Sequence, residues 1–157
     1  MSIKVFLTKS SDIELANTER WQKFTEILIE SQGVLGNAEC YVSFVTEAEI
    51  AELNATYMEK QGPTDVISFP ISWDLELTED VPRILGEIFI CPTIADKNAK
   101  KNLGGIHRGT IEDELALLLV HGVLHISGMD HEQDDEALAM ESLEFELLCK
   151  YYYQTDQ

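Results

Sequence analysis

The chain has 157 residues, of which 45% are hydrophobic, a length and composition typical of one globular domain with a buried core. No stretch approaches the roughly 20 consecutive apolar residues that a membrane-spanning helix needs, and MSIKVFLTKSSDIE turns polar too early for a secretory signal. The 29 acidic and 11 basic residues give a formal net charge of -18, which disfavours nucleic-acid binding through a broad basic surface. We therefore expect a single cytoplasmic domain over residues 1–157, with no membrane contact.

In the first half of the chain, predicted strands and helices alternate. The strands are predicted at residues 3–7 and 38–46, and the helices around residues 21–28 and from 47 to about 57. The first helix is indicated by the helical spacing of Trp21, Phe24 and Leu28, and Gly33 is suited to end it. Thr46 and Glu49 have the spacing of a capping box, which predicts the start of the second helix.

The second half continues this alternation. Strands are predicted at residues 66–71 and 85–90, and helices from 92 to about 103, between Thr110 and Gly128, and from 134 to 152. The helix after Thr110 is apolar on almost every side, which predicts burial, and its first-turn acids at residues 112–114 suit the helix dipole. The last helix reads as amphipathic, with Leu138 on its apolar side. The interleaved pattern predicts an α/β or α+β fold, with helices packed on a sheet.

Three of the four histidines lie close together, as His121, His125 and His131. Residues four apart share one face of a helix, and a left-handed turn at Gly128 allows the chain to bring the third histidine back. Three imidazoles around one ion leave the fourth tetrahedral position for water, as in catalytic zinc sites. We predict one Zn²⁺ or similar divalent ion per chain, with its water as nucleophile. The alternative, hydrogen-bonded core histidines, is disfavoured because burying two imidazoles on a leucine-rich helix costs desolvation, which a metal ion would offset.

The spacing coincides with the zincin pattern HExxHxxGxxH at each ligand and glycine position. The second position differs, because Gly122 stands where zincin peptidases carry their general-base glutamate. A peptidase of that mechanism is therefore disfavoured.

Four segments in this order carry a wider similarity, from residue 53 onward: LNATYMEKQGPTDVISFP, LGEIFICPTIADKNA, HGVLHISGMDH and DHEQDDEALAMESLEFELL. Together they resemble the YbeY-type rRNA maturation factors, a family of bacterial metal-dependent endoribonucleases. The resemblance implies an α+β domain, with helices on a small mixed sheet and a zincin-like site at the end of the buried helix. It implies single-strand RNA cleavage in rRNA 3′-end maturation and ribosome quality control, with His121, His125 and His131 as the metal ligands.

The sequence departs from the family pattern at three positions. Met58 occupies a position where the family usually has arginine, and Lys60 is a candidate substitute for that phosphate contact. Met129 replaces a tyrosine and Glu87 an aspartate. No general base stands out: Asp65 and Asp130 are candidates, but Asp65 is equally suited to fixing a turn and Asp130 to orienting a histidine.

Other polar and aromatic residues have two interpretations. The basic residues that cluster in the acidic chain are suited to guiding RNA or to stabilising a helix C-terminus: Lys97, Lys100, Lys101 and Arg108. The aromatic residues available for base stacking are Trp73 and the tyrosines at 151–153, although packing is the commoner role. His107 is expected in a loop, and Phe69 in the core.

Three functional hypotheses remain open at this stage. The first is a metal-dependent endoribonuclease acting on rRNA of the small ribosomal subunit, which the acidic protein reaches by docking on a basic ribosomal protein. The second is a metallohydrolase of amidase or peptidase type. The third is a non-enzymatic ribosome-assembly factor with a structural metal, which a fourth ligand such as Asp65 would favour.

Overall fold

The computed structural model describes residues 3–11, 13–15, 17–34, 36–73, 82–129 and 133–154. The strands are β1 (Ile3–Lys9), β2 (Ala38–Phe44), β3 (Val66–Pro70) and β4 (Arg83–Ile90). The helices are α1 (Thr18–Ser31), α2 (Glu47–Tyr57), α3 (Pro92–Lys101), α4 (Ile111–Ile126) and α5 (Asp134–Leu147), and a π-helical segment, Leu148–Tyr153, follows α5. The α+β class is confirmed.

The described strands form one mixed sheet in the order β1-β2-β4-β3. β1 pairs with β2 and β2 with β4 in parallel, whereas β3 runs antiparallel to β4. In this order β3 is the last of the described strands at one edge of the sheet. This mixed topology agrees with the family resemblance, and the direction of the strands was not readable from the sequence.

The main core lies between one face of the sheet and the helices α1, α4 and α5. Leu28 of α1, Ile88 of β4 and Leu119 of α4 are fully buried in it. On the opposite face, α2 covers a smaller cluster that includes Ile50 and Ile67. The predicted burial of α4 is confirmed, because most of its side chains lie inside the main core.

Two glycines allow α4 to approach the sheet closely. A Cβ atom at Gly122 would lie 2.9 Å from Cγ2 of Ile88, and one at Gly86 would lie 2.8 Å from Cγ2 of Ile126. Real Cβ atoms essentially never come that near to another heavy atom, so any larger residue at either position must displace the helix or its neighbour.

Local signals in the sequence predicted several helix ends correctly. Thr46 and Glu49 form both hydrogen bonds of the capping box at the start of α2. Helix α1 ends at Ser31, and Gly33 follows with φ of 85°, the left-handed conformation that glycine adopts readily. Each of these ends depends on residues within a few positions of one another, which explains why the prediction succeeded.

The last helix differs from its prediction. Its α-helical part ends at Leu147 rather than near residue 152, and Leu138 is 65% exposed instead of facing the core. The buried side chains of α5 are Met140, Glu144 and Leu147. Leu138 precedes Met140 by two residues, which is about 200° of rotation around the helix, so it lies on the opposite side from the buried stripe.

The three cysteines, Cys40, Cys91 and Cys149, are buried and free. Burial raises the pKa of the Cys40 thiol to about 12, and the nearby carboxylate of Glu87 adds to this effect. None of the helices within the described ranges is long and apolar enough to cross a membrane.

Candidate functional site

Helix α4 brings two of the three predicted ligands together. The Nε2 atoms of His121 and His125 lie 3.0 Å apart, and the two rings meet edge to face with their centroids 4.5 Å apart. This arrangement follows from the spacing, because residues four apart on a helix stack one turn above the other. The side chain of His121 is 27% exposed, so the pair opens to the surface.

The turn after α4 has the geometry that the sequence predicted at Gly128. This glycine adopts φ of 104°, and its N–H donates to the carbonyl oxygen of His125 at 3.0 Å. The N–H of Met129 donates to the carbonyl oxygen of Leu124 at 3.1 Å, which completes a Schellman motif. The third predicted ligand, His131, and the candidate Asp130 lie outside the described residues, so their place in the site stays a prediction.

Glu144 of α5 forms a hydrogen bond with Nδ1 of His121, the ring nitrogen that does not face His125. The Nδ1–H of His121 donates to Oε2 of Glu144 at 2.6 Å, and Glu144 is only 8% exposed. This bond fixes the proton on Nδ1 and leaves the lone pair of Nε2 directed at His125. Glu144 is not among the residues predicted from the sequence, because it is one of many acids in α5.

The donor set fits a divalent metal ion as far as the described residues extend. Two nitrogens bound to one tetrahedral zinc ion at about 2.0–2.1 Å lie roughly 3.3 Å apart, close to the observed separation of the two Nε2 atoms. A carboxylate on the far nitrogen of a histidine is the usual support of such a ligand. Within the described ranges no three His, Cys, Asp or Glu side chains gather into a possible metal site. A tripod of ligands would therefore need a residue outside those ranges, and His131 stays a prediction for that place.

The position of Gly122 explains why this site lacks the glutamate of zincin peptidases. The glycine is buried against Ile88, on the side of α4 that faces the sheet. A glutamate side chain there would meet the side chain of Ile88, which would have to shift to admit it.

A cleft of about 410 Å³ adjoins the histidine pair. Its lining residues come from three parts of the chain: Asn54, Met58, Lys60, Thr64, Asp65, Val66, Ile67, Ser68, His121 and His125. The cleft therefore brings two of the three predicted ligands together with Met58, Lys60 and Asp65, which were singled out in the sequence on separate grounds.

Asn54 holds the loop that forms one wall of this cleft. Its side-chain amide donates to the carbonyl oxygen of Gly62 at 2.9 Å. The backbone carbonyl oxygen of Asn54 accepts hydrogen bonds from the backbone N–H groups of Met58 at 3.0 Å and Lys60 at 3.2 Å. Because Asn54 is itself nearly buried in α2, these bonds fix the backbone that carries Lys60.

Asp65 fixes the turn before β3, which is one of the two roles weighed for it. Its carboxylate accepts from Nδ2 of Asn98 at 3.3 Å and from Oγ1 of Thr64 at 3.4 Å, and its backbone oxygen accepts from the N–H of Cys91 at 2.9 Å. These bonds anchor the start of β3. The side chain is half-buried and lines the cleft, so a direct chemical role stays a prediction.

The first turn of α4 buries two acids that the sequence analysis placed at the helix dipole. Asp113 accepts from Nε and Nη2 of Arg108 at 3.1 and 2.8 Å, and from the hydroxyl of Tyr152 at 2.8 Å. Burial by itself would raise the pKa of Asp113, but the hydrogen bonds from Arg108 and the two tyrosines outweigh it and hold that pKa below its usual range. Burial and the bond to Asp113 raise the pKa of Tyr152 to about 12.

Glu114 is the second buried acid, and it fixes the loop before α4. It accepts from the side-chain amide of Asn102 at 2.8 Å and from Nε2 of His107 at 3.0 Å. The N–H of Gly109 donates to Nδ1 of His107 at 2.9 Å, so the proton of this imidazole is on Nε2. His107 is a loop residue, as predicted.

Two of the four clustered basic side chains form ion pairs with neighbouring acids. Arg108 is paired with Asp113, and Lys97 lies 3.4 Å from Glu47. This arrangement favours a structural role for both over guidance of RNA.

The aromatic candidates are packed rather than free for stacking on bases. Tyr152 stacks on Trp21 with ring centroids 6.3 Å apart, and Trp73 packs against the main core. Phe69 is only half-buried, against Tyr57 and Phe89, because it lies on the sheet face that α2 covers in part.

Comparisons with known proteins agree with this architecture. The family model described as endoribonuclease YbeY matches residues 6–152. A protein named endoribonuclease YbeY from Acidothermus cellulolyticus is 40% identical over 122 residues, covering 73% of this chain and 71% of the relative. Another of that name from Hydrogenovibrio crunogenus is 33% identical over 158 residues, covering 99% of this chain and 95% of the relative.

A solved structure has the same fold. The solution structure of TM1509 from Thermotoga maritima matches with a TM-score of 0.61 and 28% sequence identity, covering 96% of this chain and 90% of that one. The family resemblance inferred from the motifs is confirmed.

Proposed function

The chain belongs to the YbeY endoribonuclease family, and from that premise we propose that it cleaves single-stranded RNA in a reaction that requires one divalent metal ion. The observation that carries this proposal is the pair of imidazoles, with Nε2 atoms 3.0 Å apart, at the wall of an open cleft. Family membership supports the nuclease class, and the donor set supports the metal.

Each residue of the site has a distinct role in this proposal. His121, His125 and His131 hold the ion, and Glu144 keeps the ring of His121 in the tautomer that presents Nε2. A divalent ion such as Zn²⁺, when bound there, would supply Lewis acidity to the cleft. Lys60 projects from the loop that Asn54 fixes and offers a positive charge to the phosphate in the cleft.

The biological role that we propose is maturation of the 3′ end of small-subunit rRNA and ribosome quality control, in the cytoplasm. With a formal net charge of -18, the protein is repelled by bare RNA at long range. We therefore propose that a basic ribosomal protein docks on it and presents the RNA. Tight binding of the isolated protein to bare rRNA with little dependence on salt would contradict this part of the proposal.

The test incubates the purified protein with structured rRNA and with peptide substrates, each with and without chelator. The proposal expects cleavage of RNA alone, lost with chelator and lost in a folded His121→Ala variant. Equal RNA cleavage by the wild type and His121→Ala would indicate a contaminating nuclease. Cleavage of peptides would favour an amidase or peptidase, and a folded, metal-loaded but inert protein would favour an assembly factor.

A further inference from the structure

The edge strand β3 presents part of its backbone to the cleft. In an antiparallel pair, alternate residues direct both N–H and C=O at the partner strand, and the residues between them direct both groups the other way. The N–H of Cys91 donates to the oxygen of Asp65, and the N–H of Ile71 donates to the oxygen of Leu85, each at 2.9 Å. Odd-numbered residues of β3 therefore bond to β4.

It follows that Val66 and Ser68 direct their N–H and C=O groups at the open edge. Among the strands that the structure describes, β3 is the last one on this side of the sheet. Both residues line the cleft together with His121 and His125. Pro70, the next residue of the same parity, has no N–H, so the row of outward donors ends after two residues.

We propose that this edge is the subsite for an unpaired nucleotide, whose Watson–Crick edge bonds to the backbone groups of Val66 and Ser68. This inference rests on the proposed function and specifies how its substrate is recognised. Each of the four bases carries a donor beside an acceptor on that edge, which matches neighbouring N–H and C=O groups on a strand. A base in a duplex has this edge occupied, so the subsite accounts for preference for single strands without preference for sequence.

A nucleotide fits this edge better than an added peptide strand does. Peptide recognition by strand addition relies on a continuous ladder of main-chain hydrogen bonds along the edge. Here the outward donors are limited to Val66 and Ser68, because Pro70 follows on one side and the loop of Thr64 precedes on the other. Two donor–acceptor pairs suffice for one or two bases but offer little to a strand.

The first test removes one outward-facing backbone donor, the N–H of Ser68. Ser68→Pro deletes the N–H of residue 68, which makes no bond to β4, at an edge where Pro70 is already accommodated. Ser68→Ala is the matched control, because it deletes the hydroxyl and keeps the N–H. With a fluorescein-labelled oligouridylate in chelator, we expect about tenfold weaker binding for Ser68→Pro and less than about twofold for Ser68→Ala.

A second measurement uses the wild-type protein and does not depend on the folding of a variant. N3-methyluridine, which blocks the Watson–Crick edge, is placed at successive positions of the oligouridylate. We expect binding to weaken about tenfold at one or two adjacent positions and to stay unchanged elsewhere. Uniform binding at every position would overturn the subsite. So would effective competition by an extended peptide whose binding depends on the N–H of Ser68.

The failures of the subsite and of the proposed function are distinguishable, because binding in chelator does not require cleavage. Suppose that RNA is cleaved, that Ser68→Pro binds RNA as tightly as the wild type, and that the methylated oligonucleotides bind as tightly as the unmethylated one. The subsite is then wrong and the nuclease proposal stands. If position-dependent binding is found but no RNA is cleaved under any metal, the subsite stands and the nuclease proposal is wrong.

Discussion

Gly122 lies so close to Ile88 that a Cβ atom on the glycine would stand 2.9 Å from Cγ2 of the isoleucine. This contact sets the distance between α4, which carries His121 and His125, and strand β4. The glycine is thus a packing requirement of the helix that carries the histidines.

Substitution of Gly122 tests this packing. Gly122→Ala is expected to lower the free energy of unfolding by about 1–3 kcal/mol, because overpacking outweighs the gain in helix propensity. Urea denaturation measures the loss. Ile88→Ala removes the side chain that the new methyl group would meet. The loss of unfolding free energy in the double variant should therefore be smaller than the sum of the losses in the two single variants. Strict additivity would contradict the proposed contact.

Glu144 is expected to tune metal binding through His121. Glu144→Gln preserves the shape but loses the charge that orients the imidazole, so we expect zinc affinity to fall about 10- to 100-fold. Competition with a chromophoric chelator measures the affinity. Glu141→Gln is the control, because Glu141 lies on the exposed side of the same helix and should leave affinity unchanged. Equal affinity of both variants would refute a positioning role for Glu144.

The charge in the cleft is expected to matter at Lys60. Lys60→Met removes that charge from the cleft wall, and we expect the kcat/KM for single-stranded RNA to fall about 10- to 100-fold. Met58→Arg adds a cation to the same wall and should raise kcat/KM, with a steeper salt dependence. Lys100→Met, at the exposed end of α3, is the control for net charge. A similar loss in Lys100→Met would show that the effect is not local.

The ion pair between the buried Asp113 and the exposed Arg108 predicts a dependence of stability on pH. Because the pKa of Asp113 is lower in the folded protein than in the unfolded chain, its stabilisation is complete above the unfolded pKa of about 4 and is lost as the pH falls further. Asp113→Asn should lower the free energy of unfolding by about 2 kcal/mol at pH 7. The difference from wild type should shrink when unfolding is measured at about pH 3. A difference independent of pH would contradict this account.

Local rules were enough to predict part of the site. The stacking of His121 on His125 and the left-handed turn at Gly128 depend on residues within one or two helical turns. The role of Glu144 was not predictable in that way, because α5 is rich in acids and tertiary packing alone selects the one that faces inward. The same holds for Asp113, whose partner Tyr152 lies 39 residues away along the chain.

The strand order was also beyond the sequence pattern. Residues 66–70 read as a strand, but their position at the edge of the sheet depends on pairing with β4, some twenty residues away in sequence. Recognition of the cleft wall at Val66 and Ser68 required that pairing. The family motifs identified the segment without indicating which of its backbone groups are turned outward.

The most direct test of the account is the metal content of protein purified without an affinity tag. The wild type should carry about one divalent ion per chain, and the folded His121→Ala, His125→Ala and His131→Ala variants should carry almost none. His107→Ala, which changes a histidine outside the cleft, should retain the ion. A wild type that binds no metal at any divalent ion concentration, or single variants that keep the full complement, would contradict a site built on these three histidines.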